Sequence, residues 1–436
     1  LAALRAYLKF AQGGSLRPPP PDGAAEGGGA ALYTNLLRGM VRHRRWLEAE
    51  TERLTRRPLA KLDGPVSAGV MLGLLQLYTL RLPAHAAVFE TVQAVSALGF
   101  GFAKGLVNAA LRAAQRELAA GRDPAADYPL AVRTSHPDWL VERWTRRYGA
   151  ETARSVCEAN NRFDGFAARV ETRRISRDAL LARLAQEGVA ATPHPLLQDA
   201  IRLPNVAGLL RGAAFAEGLC YVQDVASQVL VQWVAPRLAG RVLDACAAPG
   251  GKLTHLLAME RPGLRVAGSD STPARLGRVA ANLTRLRLPS VALLAADGRA
   301  LPFGDGVFGA VLLDVPCSAT GMIRKYPELA WRKHADDLPR FAATQAGLLD
   351  EAARVTALGG LVVYSTCSLE PEENEEQAAA FLARHPGFQA LSFADLPPPP
   401  GLAAPAAELL TDAGHLLVLP APDRMGLFAA LLERRG

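Results

Sequence analysis

This chain has little cysteine, and its cysteines are poorly placed for cross-linking. Cys157, Cys220, Cys246, Cys317 and Cys367 are odd in number and widely spaced, with no CxxC pair. That pattern excludes a disulfide framework and argues against structural zinc. We therefore expect no metal and a reducing, cytoplasmic setting. No apolar run reaches the roughly 18 residues of a membrane-spanning helix, and the start lacks a secretory apolar core. No membrane partner is expected. The chain opens at Leu1 rather than Met, so residues ahead of it are expected. A basic tail of the ribosomal type is absent. GxGxxG and the P-loop pattern are absent too, which disfavours ATP hydrolysis.

What is present points to several packed domains. The length of 436 residues exceeds one ordinary core, and half of the residues are apolar. A net charge of +7 favours a polyanionic partner, modestly. Residues 1–12 read as a helix, and the Gly/Pro-rich stretch 13–30 as a loop. From 31 to 117 apolar residues recur at helical spacing, as in Leu32, Leu36, Leu37 and Met40. His136-Pro137-Asp138-Trp139 opens another helix with Asp138 as its cap. Ser176 starts a helix that ends near Gly188, inside a small α+β segment. From Gly240 onward strands alternate with helices: strands over 241–244, 265–269, 291–295, 310–313 and 360–364. Their β-branched runs are continuous, as in parallel strands covered on both faces. The expected architecture is multidomain. An all-α domain spans 1–135, a small α+β segment 136–215, and an α/β Rossmann-like doubly wound domain 216–436.

Ligands of such a sheet sit at the carboxyl ends of its strands. Asp244 ends the first strand, and Cys246-Ala247-Ala248-Pro249-Gly250-Gly251-Lys252 follows it. The glycines let the main chain turn tightly, and the next helix presents free N–H groups. Asp270 and Asp297 close the second and third strands. A single acid at a strand end is as well explained as a turn residue. Three in succession beside a glycine turn suit an adenosine with a compact, unphosphorylated tail. The helix N-terminus would take a carboxylate, Asp244 an amine or cationic end, and Asp270 the ribose hydroxyls.

Asp314-Val315-Pro316-Cys317 and Ser365-Thr366-Cys367 follow the fourth and fifth strands. If these strands are neighbours, both thiols face one crevice. Arg324, Lys325 and Lys252 are candidate cations for lowering a thiol pKa. Free cysteines are more often buried and inert, which suits Cys157 and Cys220. Cys317 and Cys367 stand in polar Ser/Thr/Pro surroundings and suit that description less. Arg169, Arg173, Arg174 and Arg177, with Arg324 and Lys325, are expected to meet RNA, and Arg42, Arg44 and Arg45 to extend that patch. The acidic stretch 370–376 reads as a solvated surface or a helix start.

With these motifs in place, the chain resembles the bacterial 16S ribosomal RNA cytosine-C5 methyltransferases that carry an N-terminal NusB-like domain. The resemblance rests on 244–252, 314–317, 366–368, Gly321-Met322-Ile323-Arg324-Lys325-Tyr326-Pro327-Glu328 and Tyr221-Val222-Gln223-Asp224, and more loosely on Gly105-Leu106-Val107-Asn108 in the helical module. It implies S-adenosylmethionine as cofactor, and 16S ribosomal RNA or the assembling small subunit as partner of a monomer. It also implies that Cys367 attacks C6 of cytosine, that Cys317 helps remove the C5 proton and release the product, and that Asp314 hydrogen bonds near N3. Transfer RNA as substrate, or a non-catalytic RNA-binding assembly module, are the competing readings.

Overall fold

The computed structural model describes residues 1–16 and 29–436. Of the loop expected over 13–30, residues 17–28 lie outside the described residues, and Gly29 already opens a helix. The chain divides into two compact units, residues 1–161 with 326–332, and residues 162–325 with 333–436.

The first unit is helical. It contains α1 (Ala2–Ala11), α2 (Gly29–Arg42), α3 (Arg44–Thr55), α4 (Gly64–Tyr78), α5 (Ala84–Ala97), α6 (Lys104–Ala119), α7 (Asp138–Tyr148) and α8 (Ala150–Asn161). Helix α4 is apolar on every side, so it must be buried on every side, and Val66 through Leu77 are buried with the sole exception of Ser67. Leu4, Met40, Leu47, Val95 and Leu111 of the other helices share its core. Glu50 is fully buried there, accepting from Arg53 (2.8 Å), Tyr128 (2.8 Å) and Tyr78 (3.0 Å). Asp138 differs from expectation. Pro137 holds the cap position, and Asp138 is the first residue of α7, bound by both Arg45 terminal nitrogens at 2.9 and 2.7 Å. Arg44 is likewise paired, with Glu48 at 2.8 Å.

The second unit begins with a four-stranded antiparallel sheet, β1 (Phe166–Val170), β2 (Thr192–Pro193), β3 (Ala200–Leu203) and β4 (Cys220–Val222), in the order β2-β3-β1-β4. Helix α9 (Arg177–Gln186) follows β1, its first turn capped by Ser176 Oγ, which accepts from the Ala179 N–H at 3.2 Å. The main sheet contains β5 (Arg241–Asp244), β6 (Arg265–Asp270), β7 (Leu293–Ala295), β8 (Phe308–Asp314), β9 (Thr356–Thr366), β10 (Phe388–Leu391), β11 (Leu416–Val418) and β12 (Leu427–Arg434). Its order is β10-β12-β9-β8-β5-β6-β7, with β11 beside β12. Strands β5 to β9 are parallel, while β10, β11 and β12 pair antiparallel. The antiparallel extension goes beyond the five strands expected from the sequence.

Successive residues of a strand point to opposite faces. Val242, Ala310, Leu312 and Val363 enter one core with Leu253 and Val279, while Leu243, Val311, Leu313 and Val362 enter the other with Leu349 and Phe381. Each fully buried Leu or Val contributes about 1.5–3 kcal/mol, so both faces of the sheet are firmly covered. The helices that cover them include α10 (Val225–Val234), α11 (Gly251–Ala258), α12 (Pro273–Arg285), α13 (Leu338–Val355) and α14 (Glu375–Arg384). The chain winds outward from β5 toward β7 and then returns to β8 on the other side. Where the winding reverses, between β5 and β8, the connections diverge and leave a crevice at the strands' carboxyl ends.

Candidate active site

The crevice holds the turn after β5. Gly250 has φ +105°, a conformation closed to side-chain-bearing residues at modest cost, and α11 begins at the next residue. The free N–H groups of the first turn therefore point toward the crevice mouth. Asp244, at the end of β5, is 1% exposed, and its Oδ1 has no hydrogen-bond partner among the described residues. Burial pushes its carboxyl up to about 7, opposed by the Lys252 charge. Lys252 Nζ lies 2.6 Å from Asp314 Oδ2. Asp270 accepts from the Thr272 N–H at 3.0 Å and pairs with Arg275 at 3.2 Å. Asp297 is gripped by Arg299 at 2.7 Å, which holds its carboxyl down at about 2. A buried acceptor without a donor, a turn of free N–H groups and two further carboxylates fit a ligand with a cationic tail and a ribose. S-adenosylmethionine has both.

The thiols come from the adjoining strands. Strands β8 and β9 are parallel neighbours, with Asp314 opposite Ser365. Their loops leave the sheet side by side, and Cys317 Sγ and Cys367 Sγ lie 3.1 Å apart. A cleft of about 490 Å³ is lined by Cys246, Ala248, Asp270, Asp297, Asp314, Cys317 and Cys367 together. A smaller one, about 160 Å³, is lined by Asp244, Ala247, Pro249, Gly251 and Lys252 and shares Cys246, Ala248 and Asp314 with the first. The hydrogen bond to Cys367, then burial, then the charges of Cys367 and Glu373 push the Cys317 thiol well above the ordinary thiol range. Cys317 therefore holds its proton tightly. Two of the expected cations are engaged elsewhere. Lys252 is spent on Asp314, and buried Arg324 donates to Pro422 O at 2.6 Å with Asp224 3.9 Å away.

Two of the residues expected to meet RNA, Arg169 and Arg324, are buried. Arg169 is 2% exposed and donates to Gln223 at 3.2 Å and Thr254 at 3.4 Å. Because β1 is a central strand, its alternation turns this side chain inward. Arg324 is 1% exposed. Arg173 is bound to Glu171 at 2.6 Å and Leu286 O at 3.2 Å, Arg174 to Glu217 O, and Arg177 to Gln198 O at 2.9 Å. Lys325 sits 5.6 Å from the Phe166 ring centroid.

The acidic stretch is in part the expected helix start, with Glu375 opening α14, but it is not a solvated surface. Glu370 and Glu373 are fully buried. Glu373 accepts from the Ser318 N–H at 2.8 Å, from Gln345 Nε2 at 3.0 Å, from Ser368 Oγ at 2.5 Å and from Ser318 Oγ. A run of carboxylates gives no sequence signal for this, because donors from two distant segments, at Ser318 and Gln345, join the nearby Ser368. Gly321 also sits tightly here, its N–H donating to Cys367 O at 2.9 Å.

Comparison with known proteins agrees with this geometry. A family model described as 16S rRNA methyltransferase RsmB/F matches residues 231–433, one for the ferredoxin-like domain of RsmF/B-like methyltransferases matches 136–207, and the NusB family model matches 21–116. Ribosomal RNA small subunit methyltransferase B of Pseudomonas putida is 40% identical over 393 residues, covering 88% of each chain. Its namesake from Erwinia tasmaniensis is 38% identical over 372 residues, covering 85% of this chain and 86% of its own. The solved structure of NSun6 from Pyrococcus horikoshii with SFG has a TM-score of 0.57 at 21% identity, covering 69% of this chain and 98% of that one. The last likeness speaks for the fold.

Proposed function

Since the chain belongs to the 16S rRNA methyltransferase RsmB/F family, we propose that it methylates C5 of a cytosine in small-subunit ribosomal RNA through a covalent adduct on Cys367. It is an S-adenosylmethionine-dependent RNA cytosine-5 methyltransferase. The observation that carries the mechanism is the 3.1 Å approach of two sulfurs in the cleft that also holds the strand-end carboxylates.

Cytosine C5 is a poor nucleophile until something adds at C6. Cys367, as thiolate, forms the S–C6 bond, and the C5=C6 π electrons move into the ring. Asp314 hydrogen bonds near N3 and steadies that electron density. S-adenosylmethionine, when bound, supplies an electrophilic methyl group to C5; Asp244, Asp270, Asp297 and the turn 246–252 would hold it. Cys317 then passes its own proton to solvent and, as thiolate, takes the C5 proton; the S–C6 bond breaks, and the aromatic ring and the Cys367 thiolate are restored. A raised Cys317 pKa keeps this thiol protonated while Cys367 attacks, so the two sulfurs divide the roles. The base must leave its stack to enter such a cleft.

RNA is the partner, and we read the substrate as 16S ribosomal RNA or the assembling subunit, met by a cytoplasmic monomer. The modules 1–135 and 136–215 would dock it for the catalytic domain 216–436. Among the described residues no helix is long and apolar enough to cross a membrane, and no cluster of metal-ligating side chains occurs.

The test uses two variants. Cys367→Ala abolishes both methylation and adduct. Cys317→Ala accumulates a protein–RNA adduct visible by denaturing electrophoresis during turnover. Full methylation by the Cys367→Ala enzyme would overturn the mechanism, and bisulfite mapping of ribosomal and transfer RNA from cells with and without the gene identifies the substrate.

A further inference from the structure

Glu373 touches neither sulfur, yet it grips the residue after each. Its Oε1 accepts from the Ser318 main-chain N–H at 2.8 Å, and its Oε2 from Ser318 Oγ and from Ser368 Oγ at 2.5 Å. Ser318 follows Cys317, and Ser368 follows Cys367. A fourth donor, Gln345 Nε2, reaches Glu373 Oε1 at 3.0 Å and also Pro316 O at 3.0 Å, the residue before Cys317. Tyr364 OH, from β9, donates to the Glu373 carbonyl at 2.6 Å and so pins the main chain that carries the carboxylate. All these groups are buried or bonded at buried atoms.

A carboxylate is acceptor-only and can take four donors at once; an amide offers one acceptor atom and two donors. The requirement here is for acceptors alone, because an N–H, an amide NH₂ and two hydroxyls all converge. The loop after β8 would not hold its shape unaided. Ala319 lies in the left-handed region at φ +61°, where a residue with a side chain is strained. Such conformations persist where the surroundings over-determine them, and Glu373 binds the residue immediately before it at two points.

We propose that Glu373 is a positioning residue, a buried clip that ties the loop after β8 to the loop after β9 and thereby sets the approach of Cys317 to Cys367. The proposal deepens the methyltransferase reading and rests on the two thiols working as a pair. It assigns the carboxylate no contact with cytosine or with the methyl donor.

The sulfur spacing can be read without RNA. Diamide oxidises two neighbouring thiols to a disulfide and is itself reduced to the hydrazine, so its rate of closing Cys317 to Cys367 reports how often the sulfurs meet. The full chain and its Glu373→Gln, Glu373→Asp and Ser368→Ala variants are compared by peptide mass mapping after diamide, by single-turnover methyl transfer to RNA, and by calorimetric titration with S-adenosylmethionine. Glu373→Gln is expected to close the pair at least tenfold more slowly and to lose at least tenfold in kcat, with KM for RNA and Kd for the cofactor within twofold. Glu373→Asp, which keeps both acceptor oxygens, recovers part of both rates. Should Glu373→Gln not fold, the Ser368→Ala variant carries the same comparison. Closure within twofold of the parent rate in Glu373→Gln or Ser368→Ala overturns the clip. So does a loss of cofactor affinity that parallels the loss of closure, since general loosening then explains both. If the clip behaves as expected while the parent enzyme methylates no cytosine, the positioning stands and the reading of the reaction falls.

Discussion

Asp244 pays a stability penalty for its place at the end of β5. Burial raises its carboxyl from 3.8 to about 7, so the folded state holds the proton more tightly than the unfolded chain does. The sign follows: the folded protein is favoured below pH 4, and this group withdraws stability as pH rises from about 4 to 7. Asp244→Asn removes the ionisable group and keeps the shape. Without cofactor at pH 8, the variant should melt about 2–4 °C higher, a gain of about 1 kcal/mol. In calorimetry its affinity for S-adenosylmethionine should fall at least tenfold. A variant that binds the cofactor as the parent does would remove Asp244 from the site. At this scale the sequence was legible where chemistry comes from strand ends: Asp244, Asp270, Asp297, Asp314, Cys317 and Cys367 all reach the same crevice region. Arg169 and Glu373 were not legible. Whether a charged side chain is displayed or buried depends on partners such as Thr254 or Ser318, dozens of positions away.

Among the elements, the two cysteine loops are tightly packed against each other. A Cβ on Gly321 would lie 2.8 Å from Cys367 O and 2.9 Å from the Gly426 Cα, and main-chain atoms cannot step aside cheaply. Gly321→Ala should therefore destabilise by about 1–3 kcal/mol, read as a lower urea midpoint at unchanged slope. It should also slow adduct formation, because the added Cβ pushes against Cys367 O and stretches its bond from the Gly321 N–H. The parallel strands were legible from their continuous β-branched runs, although β9 is longer at both ends than the 360–364 expected. The strand β12 was not. Leu427-Phe428-Ala429-Ala430-Leu431-Leu432 is rich in good helix formers, and only pairing with β9 and β10 on either side decides its conformation. Local preference gives way there to the edge of an existing sheet.

For the whole molecule, the two compact units have separate cores and separate buried charges. In the helical unit, burial alone would raise the Glu50 carboxyl, but hydrogen bonds from Arg53, Tyr128 and Tyr78 outweigh it and hold the carboxyl low. A lowered carboxyl contributes stability that is present above its unfolded pKa and is lost as pH falls through the folded value. The helical unit should thus weaken below about pH 4.5. Glu50→Ala leaves Arg53 and both tyrosine hydroxyls without their shared acceptor, and we expect a loss of about 3 kcal/mol in denaturant unfolding followed by helical signal. Cofactor titration at neutral pH should be unchanged, since Glu50 belongs to the other unit.

Strands β8 and β9 also carry a consequence for how such an enzyme can change. Two residues 50 positions apart meet because one ladder of main-chain hydrogen bonds brings them together. What lies between can be lengthened, trimmed or exchanged during evolution while the reactive pair is untouched, provided the ladder keeps its frame. A slip of one rung would carry one sulfur about 3.3 Å along the strand and turn alternate side chains to the wrong face. Heredity is therefore free with the excursion and strict with the rails.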